Sequence, residues 1–258
     1  MTTLLYRARQ IGYICHHIAN VSEGKIEAVC DKDLHYAAVN GVPVGDKNFG
    51  QMLDKIDGAV IRWDSRQDVE ADKTYNTAEA VRLSRNKSVS RAMLLDLAPP
   101  TWFRLEDCQY PCLVRPRRHF AAHKFFPCSN RLAARKAIRR CGKGWYASPI
   151  IDKKLEYRVF VFNGKAIKVV RRFHNDPNEI AWNAANDGRS VRLLRESWPD
   201  DVVKSSIQAG KALGLDWFAA DVIVDQADQP YVLELNSAPG IVREKTIRIL
   251  AREFTKGG

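Results

Sequence analysis

The stretch FAADVIVDQADQPYVLELNSAPG, residues 218–240, decides how the chain folds. A β-branched run from Phe218 to Val224 ends in Asp225, Asp228 and Pro230, and a second apolar run begins at Tyr231, the pattern of a hairpin. A six-residue loop, Asp225 to Pro230, sets Val224 opposite Tyr231 and, counting back, Asp221 opposite Glu234. Side chains alternate with a period of two, so Glu234 and Asn236 share the Asp221 face. Directly opposed carboxylates repel, and strands this apolar do not lie open to water, so a cation or a proton belongs between them. Two carboxylates and an amide oxygen make a hard, all-oxygen set suited to Mg²⁺, an ion that commonly also holds substrate phosphates. A solvated acidic hairpin face is the plainer alternative, and the apolar character of both strands argues against it.

A second hairpin lies upstream, in EYRVFVFNGKAIKVVRRF (residues 156–173), with Asn163-Gly164 as its two-residue turn. Counting from that turn pairs Phe162 with Lys165, Arg158 with Val169 and Glu156 with Arg171. The count places Arg158, Glu156 and Arg171 on one face and Arg172 on the other, with Glu156 and Arg171 as a cross-strand ion pair. A helix follows from Pro199 to about Gly214, opened by proline and acidic residues. Residues 1–85 alternate short apolar strands with helical segments, a small α/β layer with no Gly-rich phosphate loop. A helix from about Ser88 to Leu97 is stopped by Pro99-Pro100. The strands TWFRL, YPCLVRP and WYASPII come next, and VREKTIRILAREF is a terminal helix.

The net charge of +11 is uneven. Residues 101–175 hold 18 Lys and Arg against 4 Asp and Glu, whereas the remainder is slightly acidic. Such a field favours an anionic ligand, nucleotide, acidic peptide or nucleic acid, although a basic helix such as SNRLAARKAIRRCGKG is more often a solvated face. No apolar run approaches the ~18 residues of a membrane span. The N-terminal segment lacks a signal-like apolar core, which predicts a cytoplasmic protein with no membrane partner. Six cysteines without a C-x₂-C pair are expected to be reduced. Cys108, Cys112, His119 and His123 have zinc-ligating chemistry, but the loop between them is short and Cys112 falls within an apolar strand.

From about Tyr75 to Gly240 the chain resembles the ATP-grasp enzymes, in the style of the ribosomal-protein glutamate ligases and of ATP-grasp proteins of bacteriophages. The resemblance rests on NKSVSRAMLLDLAPPTWF, YPCLVRP, EYRVFVFNGKAIKVVRR and ALGLDWFAADVIVDQADQPYVLELNSAPG, in the family's order. It implies an α/β fold of three lobes, here 1–85, 86–150 and 151–258, with the nucleotide gripped between two antiparallel sheets. It implies ATP with Mg²⁺, two ions, on Asp221, Glu234 and Asn236. Lys87 matches the first nucleotide lysine, and Arg115 stands where the family normally has the second. Arg158 and Arg171 are the expected catalytic cations. Ser148, Ile150 and Ile151 fall on the strand that meets adenine, and Asn183 matches a further asparagine near the metal. The family's glycine-rich lid is replaced by RRHFAAHKFF, where His119 and Lys124, with Arg117, Arg118 and His123, are expected to reach the nucleotide through side chains.

The activity so implied is ligation of a carboxylate to an amine through an acylphosphate, with release of ADP and phosphate. Partners are then a carboxylate and an amine co-substrate, including an acidic peptide or protein. Three rivals stay open: a ligase adding an amino acid to a modified nucleic-acid base, a nucleotide-binding protein whose lid has lost competence, and a nucleic-acid binder using the basic field alone.

Overall fold

The computed structural model describes residues 1–7, 9–30, 38–39, 42–43, 55–66, 69–117, 125–176, 179–180, 182, 188–241 and 243–257. Its N-terminal layer is parallel. β1 (Thr2–Tyr6) is buried along its whole length, as a central strand covered on both faces must be. α1 (Arg9–Asn20) returns the chain to β2 (Ile26–Cys30), parallel to β1. Two-residue strands β3 (Ala38–Val39) and β4 (Val42–Pro43) pair with each other, and β5 (Lys55–Trp63) and β6 (Glu70–Tyr75) complete the order β2-β1-β5-β6.

α2 (Ala78–Arg85) begins where the Thr77 hydroxyl accepts a hydrogen bond from the Ala80 amide at 3.1 Å. α3 (Lys87–Leu94) follows and passes into a 3₁₀ turn, Leu95–Leu97, before the two prolines. The segment expected as the strand TWFRL makes a single bridge, Trp102 to Ala147, and then turns. Next come β7 (Cys112–Pro116), β8 (Phe126–Cys128), α4 (Arg131–Cys141) and β9 (Trp145–Pro149), with the strands in the antiparallel order β8-β7-β9. Cys112, Val114 and Ala147 pack beneath Ala134 and Ala137 of α4. The alternation therefore turns Leu113, Arg115, Tyr146 and Ser148 to the opposite face.

The third sheet is antiparallel throughout. It runs β12 (Arg189–Arg192), β11 (Lys165–Phe173), β10 (Lys153–Phe162), β13 (Trp217–Asp225), β14 (Pro230–Asn236), with α5 (Asp200–Leu213) on one face and α6 (Glu244–Gly257) after the last strand. Val159, Val161, Val169, Ala220, Val222, Val232 and Leu235 meet Val202, Ala209 and Leu213 of α5. On the other face Phe160, Phe162, Trp217 and Ala219 share a core with Trp63 and Tyr75 of the first layer and Phe254 of α6. Farther along the same strands that face becomes charged, which leaves it for chemistry.

Asn76 ties the first layer to β13. It sits in the left-handed region (φ +63°) and is fully buried. Its Nδ2 donates to the carbonyls of Arg62 (3.2 Å) and Trp217 (2.6 Å), and its Oδ1 accepts from the amides of Asp216 (2.8 Å) and Trp217 (2.9 Å).

Two bulges correct the expected registers. Near its turn the last hairpin pairs Val224 with Pro230, not with Tyr231, and a bulge at Leu233 then brings Asp221 opposite Glu234 as expected. In the other hairpin Phe162 does pair with Lys165, but a bulge at Ile167 moves Arg158 opposite Val170 and Glu156 opposite Arg172. Arg172 therefore joins the charged face and Arg171 leaves it. Each bulge puts two consecutive residues on one side, which strict alternation does not anticipate.

Candidate nucleotide and metal site

A single row of paired residues crosses all five strands of the third sheet. It reads Arg192, Val170, Arg158, Asp221, Glu234, from β12 to β14. One end is cationic and the other anionic. Asp221 is held by Arg172 (3.2 Å) and more loosely by Arg158 (3.7 Å). Arg172 also donates to Glu156 at 3.1 Å, and the other oxygen of Glu156 accepts from Lys153 at 2.7 Å. Lys153 in turn donates to the Ile180 carbonyl and lies over the Trp182 ring. Burial opposes the charge on Arg172, yet Asp221 and Glu156 outweigh it and hold the guanidinium above its usual range. The expected Glu156–Arg171 pair is thus a Glu156–Arg172 pair, and Arg171 lies exposed beside Tyr157 on the face away from Asp221. Arg172 is the residue that the sequence reading missed.

At the anionic end the Asn236 amide donates to Glu234 Oε1 at 2.8 Å, while Lys87, at the start of α3, reaches Glu234 Oε2 at 3.1 Å. Burial alone would raise the Glu234 carboxyl; Lys87, the Asn236 amide and Arg115 together hold it well below the usual carboxylate range. Asp221 Oδ1 is buried and, among the described residues, accepts no hydrogen bond of good geometry. The Asn236 nitrogen is spent on Glu234, which leaves the amide oxygen as a neutral donor beside the two carboxylates. Among the described residues no group of three His, Cys, Asp or Glu could hold a metal by itself; a cation placed here would meet Asp221, Glu234 and the Asn236 oxygen. This donor set suits Mg²⁺.

Across from these acids stands the face of the three-stranded sheet that α4 leaves open. Arg115 pairs in register with Tyr146 and packs over the Phe125 ring, and Ser148 is buried one step farther along β9. Ile150 and Ile151 follow, half-buried, at the passage from β9 to β10. Arg91, one turn along α3 from Lys87, is buried over the Tyr146 ring, 5.9 Å from its centroid. Its Nε and one terminal nitrogen have no hydrogen-bond partner among the described residues. Burial depresses this guanidinium, and neighbouring Arg115 depresses it further. A buried arginine with unmet donors, near both Tyr146 and Glu234, has hydrogen-bonding capacity that an anion would satisfy. Helical periodicity alone gave no reason to single it out. His119, Lys124 and Asn183 lie outside the described residues, as do Arg118 and His123.

Cys108, Cys112 and Cys128 are buried together under α4, with Cys112 and Cys128 directly opposed across β7 and β8. Burial, with its two neighbours, pushes the Cys112 thiol up to about 12. These are packed thiols in a reduced cluster.

No family model matches the chain. In sequence it is similar to the D-alanine–D-alanine ligase of Fusobacterium nucleatum subsp. nucleatum, 21% identical over 182 residues, 67% of this chain and 62% of that ligase. In structure it is similar to the ATP-grasp ligase PsnB complexed with a minimal precursor, with a TM-score of 0.67, 13% identity and 99% of both chains covered. The chain has the ATP-grasp fold. The D-alanine–D-alanine ligase of Bacillus anthracis complexed with ATP is similar over 100% of both chains, with a TM-score of 0.63 and 15% identity. At these identities the likeness establishes the ATP-grasp fold, an α/β architecture with two antiparallel sheets facing each other. No helix among the described residues is long and apolar enough to cross a membrane.

Proposed function

We propose that this protein is an ATP-dependent ligase joining a carboxylate to an amine. The observation that carries the reading is the cross-sheet row, in which Arg158 adjoins Asp221 and Glu234 on one open face while Arg172 reaches Asp221 from beside the row. Phosphoryl transfer to a carboxylate needs such a juxtaposition, because both reactants are anions that repel until cations stand between them. The fold shared with ligases that bind ATP or a peptide precursor supports it.

In this reading Lys87, Arg91 and Arg115 hold the nucleotide's phosphates, Ser148 to Ile151 line its base, and Asp221, Glu234 and Asn236 hold Mg²⁺. Bound there, the metal would supply charge neutralisation for the transferring phosphoryl group. Arg158 and Arg172 orient the substrate carboxylate. One of its oxygens attacks the γ-phosphorus, the bond to the bridging oxygen breaks, and ADP leaves. The amine nitrogen then attacks the acyl carbon of the acylphosphate, the carbon–oxygen bond to phosphate breaks, and the amine proton passes to the departing phosphate or to solvent. Glu156 holds the Arg172 fork in place from behind. The work is positioning and electrostatics, which fits the lack of a nucleophile–histidine pair among the described site residues.

The test is ADP release and intact-mass change on incubation with Mg-ATP and mixed carboxylate and amine acceptors, with Mg-ADP protection against melting read in parallel. Glu234→Gln is expected to remove the metal-dependent part of the melting shift. Unchanged Mg-ADP protection in that variant would refute the metal assignment, and binding without turnover on any acceptor would leave a nucleotide-binding protein.

A further inference from the structure

On the cationic side of the row lies a cluster that the proposed chemistry does not use. Lys168 belongs to the bulge on β11 and is turned to the cleft face, opposite Phe160. It is 8% exposed, and its ammonium donates to the hydroxyl of Thr246, in the first turn of α6, at 2.6 Å. Lys168 and Arg158 lie over the same Phe160 ring, at 5.0 and 5.9 Å from its centroid. Arg192 flanks it from β12, and Arg243 stands just before α6. Among the described residues neither Lys168, Arg192 nor Arg243 has an acidic partner. Burial depresses the Lys168 ammonium, and the three arginines depress it further, down to about 8.

The half-buried cations around the acids are paired: Lys87 of α3 with Glu234, Lys153 with Glu156, and Arg172 with Glu156 and Asp221. A buried ammonium given only a hydroxyl, and surrounded by like charge, is costly unless a ligand brings the missing anion. Arg192 and Arg243 are exposed, so the cluster opens to solvent with Lys168 at its floor.

We propose that Lys168, Arg192 and Arg243 form the seat for a second carboxylate, one that a co-substrate carries but that is not activated. Lys168, the floor of the seat, lies on β11 next to the strand of Arg158, and adjacent strands are ~5 Å apart. An anion there is therefore separated from the reacting carboxylate by a short aliphatic spacer, on the order of three or four carbons. The same chemistry is met by two sources, a dicarboxylic acid co-substrate or the carboxylate of an amino-acid amine. The inference rests on the ligase reading for which carboxylate reacts, but the seat itself can be tested without turnover.

The experiment is calorimetric titration of the full chain, with and without saturating Mg-ADP, using glutarate against butyrate and alanine against alaninamide. Glutarate bound at least tenfold more tightly than butyrate assigns the seat to the acid, and alanine bound tenfold more tightly than alaninamide assigns it to the amine. Lys168→Met and Arg243→Gln are each expected to abolish that discrimination, leaving butyrate, alaninamide and Mg-ADP within twofold of the parent. Lys168→Met relieves an unpaired buried charge and is expected to fold, so lost binding is not lost structure. No discrimination in the parent overturns the inference, as does discrimination that survives in both variants. Loss of Mg-ADP affinity in the variants would give these cations to the nucleotide and likewise overturn it. Failure of the parent to bind Mg-ADP, with discrimination intact, would remove the ligase reading and leave the seat.

Discussion

Replacing Asn76 by alanine removes four hydrogen bonds at once. Its amide donates to the Arg62 and Trp217 carbonyls and accepts from the Asp216 and Trp217 amides, so its hydrogen-bonding capacity is fully used. At about 1 kcal/mol net for each bond, the loss is about 4 kcal/mol. The left-handed backbone, with φ at +63°, adds up to ~1 kcal/mol for alanine. Against a total stability of ~5–15 kcal/mol this is a large fraction. For a chain of this length it corresponds to a fall in Tm of roughly 10–15 °C. Urea unfolding followed by tryptophan emission is a suitable assay, because Trp63 and Trp217 are fully buried on either side of the joint, with centroids 4.9 Å apart. Asn76→Gly tolerates the backbone and isolates the hydrogen-bond part. A loss under ~1 kcal/mol in Asn76→Ala would refute the reasoning, since it would mean that the four backbone groups find other partners.

Arg172→Ala is expected to lower ligase turnover by at least ~100-fold, as loss of a charge positioned for the transition state does, while Arg171→Ala stays within about threefold; equal effects in ADP release would refute the observed register as the basis of the assignment. Lys168 gives up its proton at about 8 in the folded chain, whereas the unfolded chain keeps it to ~10.4. The unfolded state therefore binds more protons across that window, and the stability that Lys168 costs is recovered as pH rises through it, an increment that Lys168→Met should remove in urea titrations at pH 7.5 and 9.5. The outward face of α4 carries Arg135, Lys136 and Arg139, all exposed. The triple change to glutamine should leave turnover and its salt dependence nearly unchanged, whereas collapse with a steep salt slope would point to a polyanionic substrate.

Much of this was legible in the chain itself, and the reasons differ by residue. The Asp221–Glu234 pairing emerged because the loop count and the bulge at Leu233 differ by one residue each and cancel at that pair. Asn163-Gly164 fixed its turn because φ is positive at both residues, and Phe162 duly faces Lys165. Arg172 was hidden for the opposite reason: one bulge at Ile167 is uncompensated, and nothing in AIKVVRR distinguishes a bulge from regular strand. Arg91 was hidden because its meaning depends on Tyr146, Arg115 and Glu234, which reach it from other elements. Lys168 was read as one of many basic residues until α6 placed Thr246 against it.

The bulges carry a consequence for how this sheet can change. Ile167 and Lys168 both lie on the cleft side, and Leu233 is skipped in the register beside Glu234, so each strand has one phase near its turn and another at the charges. Removing Ile167 or Leu233 would restore plain alternation and still leave Arg172 opposite Glu156 and Asp221 opposite Glu234. The sheet is thus buffered against changes in length: a residue lost at either bulge is absorbed there, and variants that differ by indels in these hairpins can retain the same arrangement of charge.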